Sequence, residues 1–153
     1  MKKTIIAAGM VLALGTGFSL NAFAQAKPEV LVKQRQAAMT LFGKYWGPLG
    51  GMNAGKVPFN AKVIARNAGY LEVLSTMPWD GFNASTKGVK SAAMPVVWTD
   101  AAGFKAAQDK VQSEMAKLAA AGKGGDEAAI KKQLAEAAKT CGGCHKKFRE
   151  KSK

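Results

Sequence analysis

Two cysteines and a histidine stand close together near the carboxyl end of the sequence, in the run Cys141-Gly142-Gly143-Cys144-His145. Thiols three positions apart, with a histidine directly after the second, are typical of the attachment site of a c-type haem. The two sulfurs can form thioether bonds to the haem vinyl groups, and the adjacent imidazole can ligate the iron. Because the chain has one histidine, we expect His145 to be the axial ligand and Cys141 and Cys144 to hold the haem covalently.

Other chemistries compete for the same cysteines. A structural zinc site needs four Cys or His ligands, and the chain offers two Cys and one His. A thioredoxin-like redox pair expects a neighbouring βαβ unit, and no alternating strand pattern precedes Cys141. A Cys141–Cys144 disulfide stays open, although it leaves His145 without a role. The motif therefore predicts one haem c, with a haem-free exported helical module that carries this disulfide as an alternative.

The first residues are typical of a secretory signal peptide. Lys2 and Lys3 form a basic start, an apolar run follows, and Ala22-Phe23-Ala24 fits the small-x-small cleavage pattern. The run is short and interrupted by glycines, so we expect no stable membrane anchor. The sequence predicts a cleaved signal peptide over residues 1–24, one domain over residues 25–153, and a periplasmic location.

The chain is strongly basic, with a net charge of +13 at neutral pH. Without Lys2 and Lys3, 21 basic and 10 acidic residues leave a net charge of +11. Such a balance favours acidic partners and fast encounters that depend on salt. Export and the scattered placement of the basic residues argue against nucleic acid. We therefore expect a solvated basic surface that steers a redox partner, for which an acidic surface is favoured.

Apolar residues recur at alternating spacings of three and four over four stretches, which predicts four amphipathic helices. We expect the first from Glu29 until it weakens at Gly47 and Pro48 into a loop over residues 53–58. The others are expected over residues 60–75, from Thr99 or Asp100 to about 121, and from Asp126 onward. With a long crossover over residues 77–99, these elements predict an all-α fold, an antiparallel up-down four-helix bundle.

Two features inside this pattern bear on the haem. Arg35 is a charge on an apolar stripe, and it either binds a haem propionate through its forked guanidinium or reaches water from the edge of the stripe. Trp79, Phe82 and Trp98 are large aromatics in an otherwise polar crossover, and they pack either against a haem edge or against the end of a helical core. On the fourth helix Cys141 and Cys144 fall on the inner seam, with His145 one turn beyond Cys141.

With these residues in view, the sequence resembles the cytochromes c′, the class II c-type cytochromes that hold haem in a four-helix bundle. The resemblance covers nearly all of residues 25–153, and the haem motif near the carboxyl end is its specific part. Supporting matches, in order along the chain, are Arg35-Gln36-x-x-Met39, Pro58-Phe59, Pro78-Trp79-x-x-Phe82, Pro95-x-x-Trp98 and Phe148-Arg149. Lys90-Ser91 depart from the family pattern, and we assign no propionate contact there.

The resemblance implies roles for several of these residues. Arg35 and Gln36 match positions that contact a haem propionate, and Arg149 matches a basic residue beside the proximal histidine. Met39 matches the residue of the first helix that closes the distal haem face. It further implies a homodimer formed through the first two helices, and binding of nitric oxide and carbon monoxide while larger ligands are excluded.

Met39 leaves two functions open. If it only shields the distal face, the iron is five-coordinate and high-spin, and the protein binds small gases, transfers electrons or does both. If its thioether ligates the iron, the protein is a six-coordinate, low-spin electron-transfer cytochrome with a His/Met ligand pair. We expect no enzyme in either case, because no second histidine is available as a catalytic base.

Overall fold

The computed structural model describes residues 26–151, so the predicted signal peptide and its cleavage site lie outside the described residues. The fold is all-α, as predicted, and four long helices make up the four-helix bundle. No strand is present between residues 26 and 151, where one isolated antiparallel bridge joins Ala93 and Arg149. The helices are α1 (Pro28–Asn53), α2 (Ala61–Leu74), a short α3 (Val96–Thr99), α4 (Ala101–Gly124) and α5 (Glu127–Phe148).

Side chains cap the starts of the last three long helices, at the positions where the sequence predicts that these helices begin. The Asn60 side chain accepts from the Val63 amide at 3.0 Å, and Asp100 accepts from the Gly103 amide at 2.9 Å. Asp126 accepts from two amides in the first turn of α5. Each cap satisfies backbone donors that have no partner inside the helix. Helix α4 continues beyond the predicted end and stops where Gly125 adopts a positive φ of 76°.

Helix α1 ends at Asn53, where the predicted loop over residues 53–58 begins, but it continues as a regular helix through Gly47 and Pro48, where the sequence predicts that it weakens. Proline cannot donate to the Lys44 carbonyl and costs about 3 kcal/mol inside a helix. Burial on the far side of the proline offsets that cost: Leu49 is fully buried in the core, and Met52 packs against the core. A fully buried leucine contributes about 1.5–3 kcal/mol, so tertiary packing outweighs the local break.

The core lies between α1, α2, α4 and α5, and Cys141 packs against it from α5. Helix α4 packs against both α2 and α5, and α1 packs against α2. The haem motif therefore starts where the apolar core ends. The fully buried side chains at the centre are Leu49, Ile64, Leu71, Met115, Leu118, Ile130 and Leu134.

The crossover between α2 and α4 carries more structure than predicted. Two single 3₁₀ turns, Asp80–Phe82 and Ala84–Thr86, pack against α1, and α3 follows them. Residues 91–94, which we call the strap, run beside the end of α5. The Met94 amide donates to the Phe148 carbonyl at 3.0 Å, and the Glu150 amide donates to the Ala92 carbonyl at 2.9 Å. The crossover is thus fastened to the residues that directly follow the haem motif.

Over the part of the chain that the structure describes, no helix is both long and apolar enough to cross a membrane.

Candidate haem site

A cavity of about 510 Å³ lies at the end of the bundle where α1, the crossover, α4 and α5 meet. Its volume is within the usual range for pockets that bind small molecules and cofactors. The structure brings every site residue predicted from the sequence to this one cavity. Its walls include Arg35, Gln36, Met39, Cys141, Cys144, His145 and Arg149.

Both cysteines are free thiols on α5 and are partly buried. Burial raises the pKa of Cys141 to about 11, with a smaller contribution from the neighbouring Cys144, and burial also raises the pKa of Cys144. A protonated thiol is a weak nucleophile towards other thiols and disulfides. The site therefore keeps both sulfurs as thiols at neutral pH, beside each other and facing the same cavity.

His145 follows Cys144 on α5 and lines the cavity with it. Burial lowers the pKa of the imidazole, and the positive charge of Arg149 lowers it further. A lower pKa favours the neutral imidazole at neutral pH, which has the free nitrogen lone pair that a metal ligand needs. The Arg149 amide donates to the His145 carbonyl at 3.1 Å and ends the helix one turn after the histidine.

Arg35 enters the cavity from α1 and is only 3% exposed, which excludes the prediction that it reaches water at the edge of the stripe. Its guanidinium donates to three neutral oxygens: the Gly81 carbonyl at 2.5 Å, Thr86 Oγ1 at 3.1 Å and Ser91 Oγ at 2.9 Å. It also lies 4.2 Å from the centre of the Phe82 ring. No ion pair of Arg35 is found among residues 26–151. A buried cation with only neutral partners suits an anionic group in the cavity.

Gly81 makes the contact with Arg35 possible. A β-carbon at this position would stand 2.9 Å from the Leu31 carbonyl oxygen and 3.2 Å from the Arg35 β-carbon. Only glycine allows the first 3₁₀ turn to approach α1 this closely. The first 3₁₀ turn thereby brings the Gly81 carbonyl oxygen within hydrogen-bonding distance of the Arg35 guanidinium.

Aromatic side chains close one side of the cavity. Trp79, Phe82 and Phe104 contact one another with ring centres 4.9–6.1 Å apart, and Phe104 contacts Phe148 at 5.2 Å. Trp98 is not among the lining residues; its indole donates to the Asn83 carbonyl at 3.1 Å and its ring lies 5.9 Å from the Arg35 guanidinium. Two interpretations were open for the crossover aromatics, packing against a haem edge or against the end of a helical core. Trp79 and Phe82 line the cavity, which fits the first interpretation. Trp98 packs behind the cavity wall and supports the crossover segment there.

Part of the site could not be predicted from the sequence. Ser91, for which we predict no propionate contact, lines the cavity and accepts from Arg35, and Trp46, Gly43 and Phe104 line it as well. Trp46 and Phe104 belong to the apolar residues spaced three and four apart that predict the helices, which indicates that they face inward but does not place them in the cavity. Ser91 carried no sequence signal, because its partner is 56 residues away.

The residues present fit a covalently held haem. Two adjacent thiols and a neutral imidazole share one apolar cavity with a buried cation, which supplies vinyl attachment, iron ligation and a partner for a propionate. No group of three or more His, Cys, Asp or Glu side chains that could hold a metal ion by themselves occurs in the described part of the chain.

A family model described as cytochrome c′ matches residues 30–149 of the chain. The chain is 47% identical over 126 residues to a cytochrome c′ of Rubrivivax gelatinosus, which covers 82% of this chain and 98% of that protein. It is 36% identical over 126 residues to a cytochrome c′ of Alcaligenes xylosoxydans xylosoxydans, with 82% and 98% coverage.

Solved structures agree with the sequence relatives. The fold is similar to the crystal structure of cytochrome c′ from Rubrivivax gelatinosus, with a TM-score of 0.76 at 46% identity over 81% of this chain and 98% of that one. It is also similar to a mutant of cytochrome c prime from Alcaligenes xylosoxidans in a nitric oxide complex, with a TM-score of 0.74 at 35% identity over 83% and 98% of the two chains.

Proposed function

The chain belongs to the cytochrome c′ family, and from this premise we propose that it is a periplasmic haem protein that binds nitric oxide and carbon monoxide at one covalently held haem c. The observation that carries the proposal is the convergence of Cys141, Cys144 and His145 on one cavity with the buried cation of Arg35. A nitric oxide complex is among the solved structures similar to this chain, which supports a gas as the ligand.

The residues of the cavity divide the work of holding the group. Cys141 and Cys144 would form the thioethers, and His145 would donate its lone pair to the iron. Arg35 would pair with a propionate, together with Gln36, which lies next to it on α1 and also lines the cavity. Arg149 would stand on the proximal side, beside the histidine. When bound, the haem supplies the iron centre that takes up a diatomic gas or an electron.

Met39 decides how open the distal side is. It lies on α1, one turn after Arg35, and lines the cavity with 37% of its surface exposed. We propose that it shields a five-coordinate, high-spin iron. Because its thioether reaches the same cavity as His145, a six-coordinate electron-transfer cytochrome with His145 and Met39 as ligands is the second candidate.

A redox partner would meet the protein near the cavity mouth. Lys146, Lys147 and Lys151 are exposed around the end of α5, close to the residues that hold the haem. Together with the net charge of the chain, they favour a partner with an acidic surface and an encounter that weakens as salt rises. We infer binding and electron transfer rather than an enzymatic reaction.

The outer faces of α1 and α2 support the proposed homodimer. Tyr70, Val73 and Met77 follow one another at spacings of three and four, and each is 47–56% exposed. On α1, Val30 and Leu41 are 42% and 44% exposed. Exposed apolar side chains on neighbouring helices suit a protein interface, and a second copy of the chain would bury those of α1, of α2 and of Met77, which follows α2.

Two measurements test the proposal. Intact-mass analysis of protein from a cell with c-type haem maturation should show one haem bound through both cysteines, and loss of that mass in the Cys141→Ser/Cys144→Ser variant. The ferrous protein should bind carbon monoxide and nitric oxide. A Cys141–Cys144 disulfide without haem would establish the haem-free alternative, and a haem protein that binds neither gas would overturn gas binding.

A further inference from the structure

Gly43 lies in the middle of α1, at a position where the local backbone and packing do not require a glycine. Its φ is not among the positive values in the described part of the chain, which occur at Gly55 and Gly125. A β-carbon built at Gly43 would have nothing within 4 Å. Glycine nevertheless destabilises a helix interior relative to alanine. Neither the backbone nor the packing of residues 26–151 explains why this position lacks a side chain.

Position 43 has a direct relation to the distal side of the cavity. Gly43 lines the cavity and lies four residues after Met39, which lines it too. Residues four apart share one face of a helix, and a helical side chain leans towards the amino-terminal end, over the preceding turn. A side chain at position 43 would therefore extend over the turn that carries Met39.

Methionine is well suited to use the space that glycine leaves. Its side chain is unbranched and has three rotatable bonds, so it changes shape at low cost. At 37% exposure, Met39 is not locked among neighbours as the fully buried core residues are. The space that Gly43 leaves open is therefore space into which the Met39 side chain can rotate.

We propose that Gly43 is a specificity-determining residue: it leaves the space into which Met39 moves when a diatomic gas enters, and it thereby sets the size of ligand that the cavity admits. This inference rests on the gas binding proposed above. A side chain at position 43 would keep Met39 over the cavity, and the larger the ligand, the more strongly it would be excluded.

The test uses the full haem protein, with Gly43→Ala and Gly43→Leu as variants. Gly69→Ala is the matched control, because Gly69 is also helical with nothing within 4 Å of a built β-carbon but does not line the cavity. Association rates with the ferrous protein are measured for carbon monoxide and for the larger methyl isocyanide. Since one methylene changes pocket discrimination about 10-fold or more, Gly43→Leu should lower the isocyanide rate at least about tenfold relative to the carbon monoxide rate.

A second readout follows the Met39 side chain itself. The carbon monoxide-bound protein is labelled with ¹³C-methyl methionine and studied by NMR relaxation. The Met39 methyl group should be slower or more restricted in its motion in Gly43→Leu than in the wild type and in Gly69→Ala. Both alanine variants should raise the melting temperature, because alanine favours a helix over glycine. Only the Gly43 variants should change the ratio of ligand rates.

The outcomes separate the inference from the function on which it rests. A wild-type protein that binds no gas overturns both. A wild type that binds carbon monoxide, with Gly43 variants that keep its ratio of rates, overturns the inference alone. If Gly43→Leu alters dimerisation but leaves the ligand rates unchanged, the glycine serves contact with a second copy and the inference is equally overturned.

Discussion

The guanidinium of Arg35 on α1 donates to the hydroxyl of Ser91 in the strap at 2.9 Å, across 56 residues of sequence. The strap is itself hydrogen-bonded to Phe148 and Glu150, which follow the haem motif. Hydrogen bonds at Ser91 on one side and at Ala92 and Met94 on the other therefore let the strap connect the wall of the cavity that carries Arg35 with the wall that carries His145. The two walls hold their spacing through the crossover.

Ser91→Ala should destabilise the protein by about 1 kcal/mol, because Arg35 loses one of its three acceptors. The measurement is the free energy of unfolding in guanidinium chloride, followed by circular dichroism. Ser85→Ala is the control, since the Ser85 hydroxyl donates to Asn83 in an exposed position of the same crossover. Equal, small effects of the two variants would show that the contact between Ser91 and Arg35 does not contribute to stability.

Arg35→Met should lower the reduction potential of the haem, because a buried positive charge next to a propionate favours the reduced, less positive iron. We expect a shift of some tens of millivolts, where roughly 59 mV corresponds to tenfold in a one-electron equilibrium. Spectroelectrochemical titration measures it. Arg35→Lys keeps the charge but not the planar fork, so its potential should lie between those of the wild type and Arg35→Met; an unchanged potential in Arg35→Met would argue against the propionate contact.

Met39→Ala should raise the association rate of carbon monoxide by about tenfold, since a shielding side chain becomes a methyl group. The electron-paramagnetic-resonance spectrum of the oxidised protein should be high-spin before and after the change. A low-spin wild type that becomes high-spin in Met39→Ala would instead make Met39 an iron ligand and electron transfer the main function.

Glu114 should contribute stability that depends on pH. It is 2% exposed, and the hydrogen bonds from Lys110, Gln133 and Lys117 lower its pKa from 4.5 to about 2. Because the folded pKa lies below the unfolded one, the contribution is fully present above about pH 5 and is lost as the pH falls towards 2.

Glu114→Gln should therefore lose roughly 1–3 kcal/mol of stability at pH 7 and show a flatter dependence of stability on pH between 5 and 2. Denaturant titrations at several pH values measure both effects. Glu127→Gln is the control, because Glu127 forms an exposed ion pair with Lys131 and such pairs contribute little. The same acid dependence in the wild type and in Glu114→Gln would contradict the assignment.

Val73→Glu should weaken the proposed homodimer by about tenfold or more in dissociation constant, because it places a charge on the apolar outer face of α2. Sedimentation equilibrium measures the change. Val57→Glu makes the same substitution at a valine that is 44% exposed in the loop between α1 and α2. If both variants remain as dimeric as the wild type, the interface lies elsewhere.

The sequence was most informative where a signal is local. The sequence predicts helix starts at Asn60, at Thr99 or Asp100, and at Asp126, and the side chains of Asn60, Asp100 and Asp126 accept from amides within the next three residues. The haem motif could be predicted for the same reason: the spacing of its residues within one helix determines the chemistry they can perform.

The sequence is less informative where contacts between residues far apart in the chain determine the structure. Pro48 indicates that α1 weakens, but burial of Leu49 helps to keep the helix intact as far as Asn53, where the predicted loop begins. Ser91 gave no signal, because its role depends on Arg35 on another element. The surroundings of Arg35 could not be predicted either, since Gly81 and Thr86 reach it only through the path of the crossover.

The fastening of the strap to the end of α5 has a consequence for the order of folding. Helices α4 and α5 are joined by one short turn, so their pairing closes a small loop and can form early. Closing α1 and the strap over α5 joins segments far apart in sequence, which costs more chain entropy and is slower. We expect α4 and α5 to pair first in the folding chain, so that both cysteines lie on a helical hairpin and stay accessible for haem attachment until α1 and the strap pack against it.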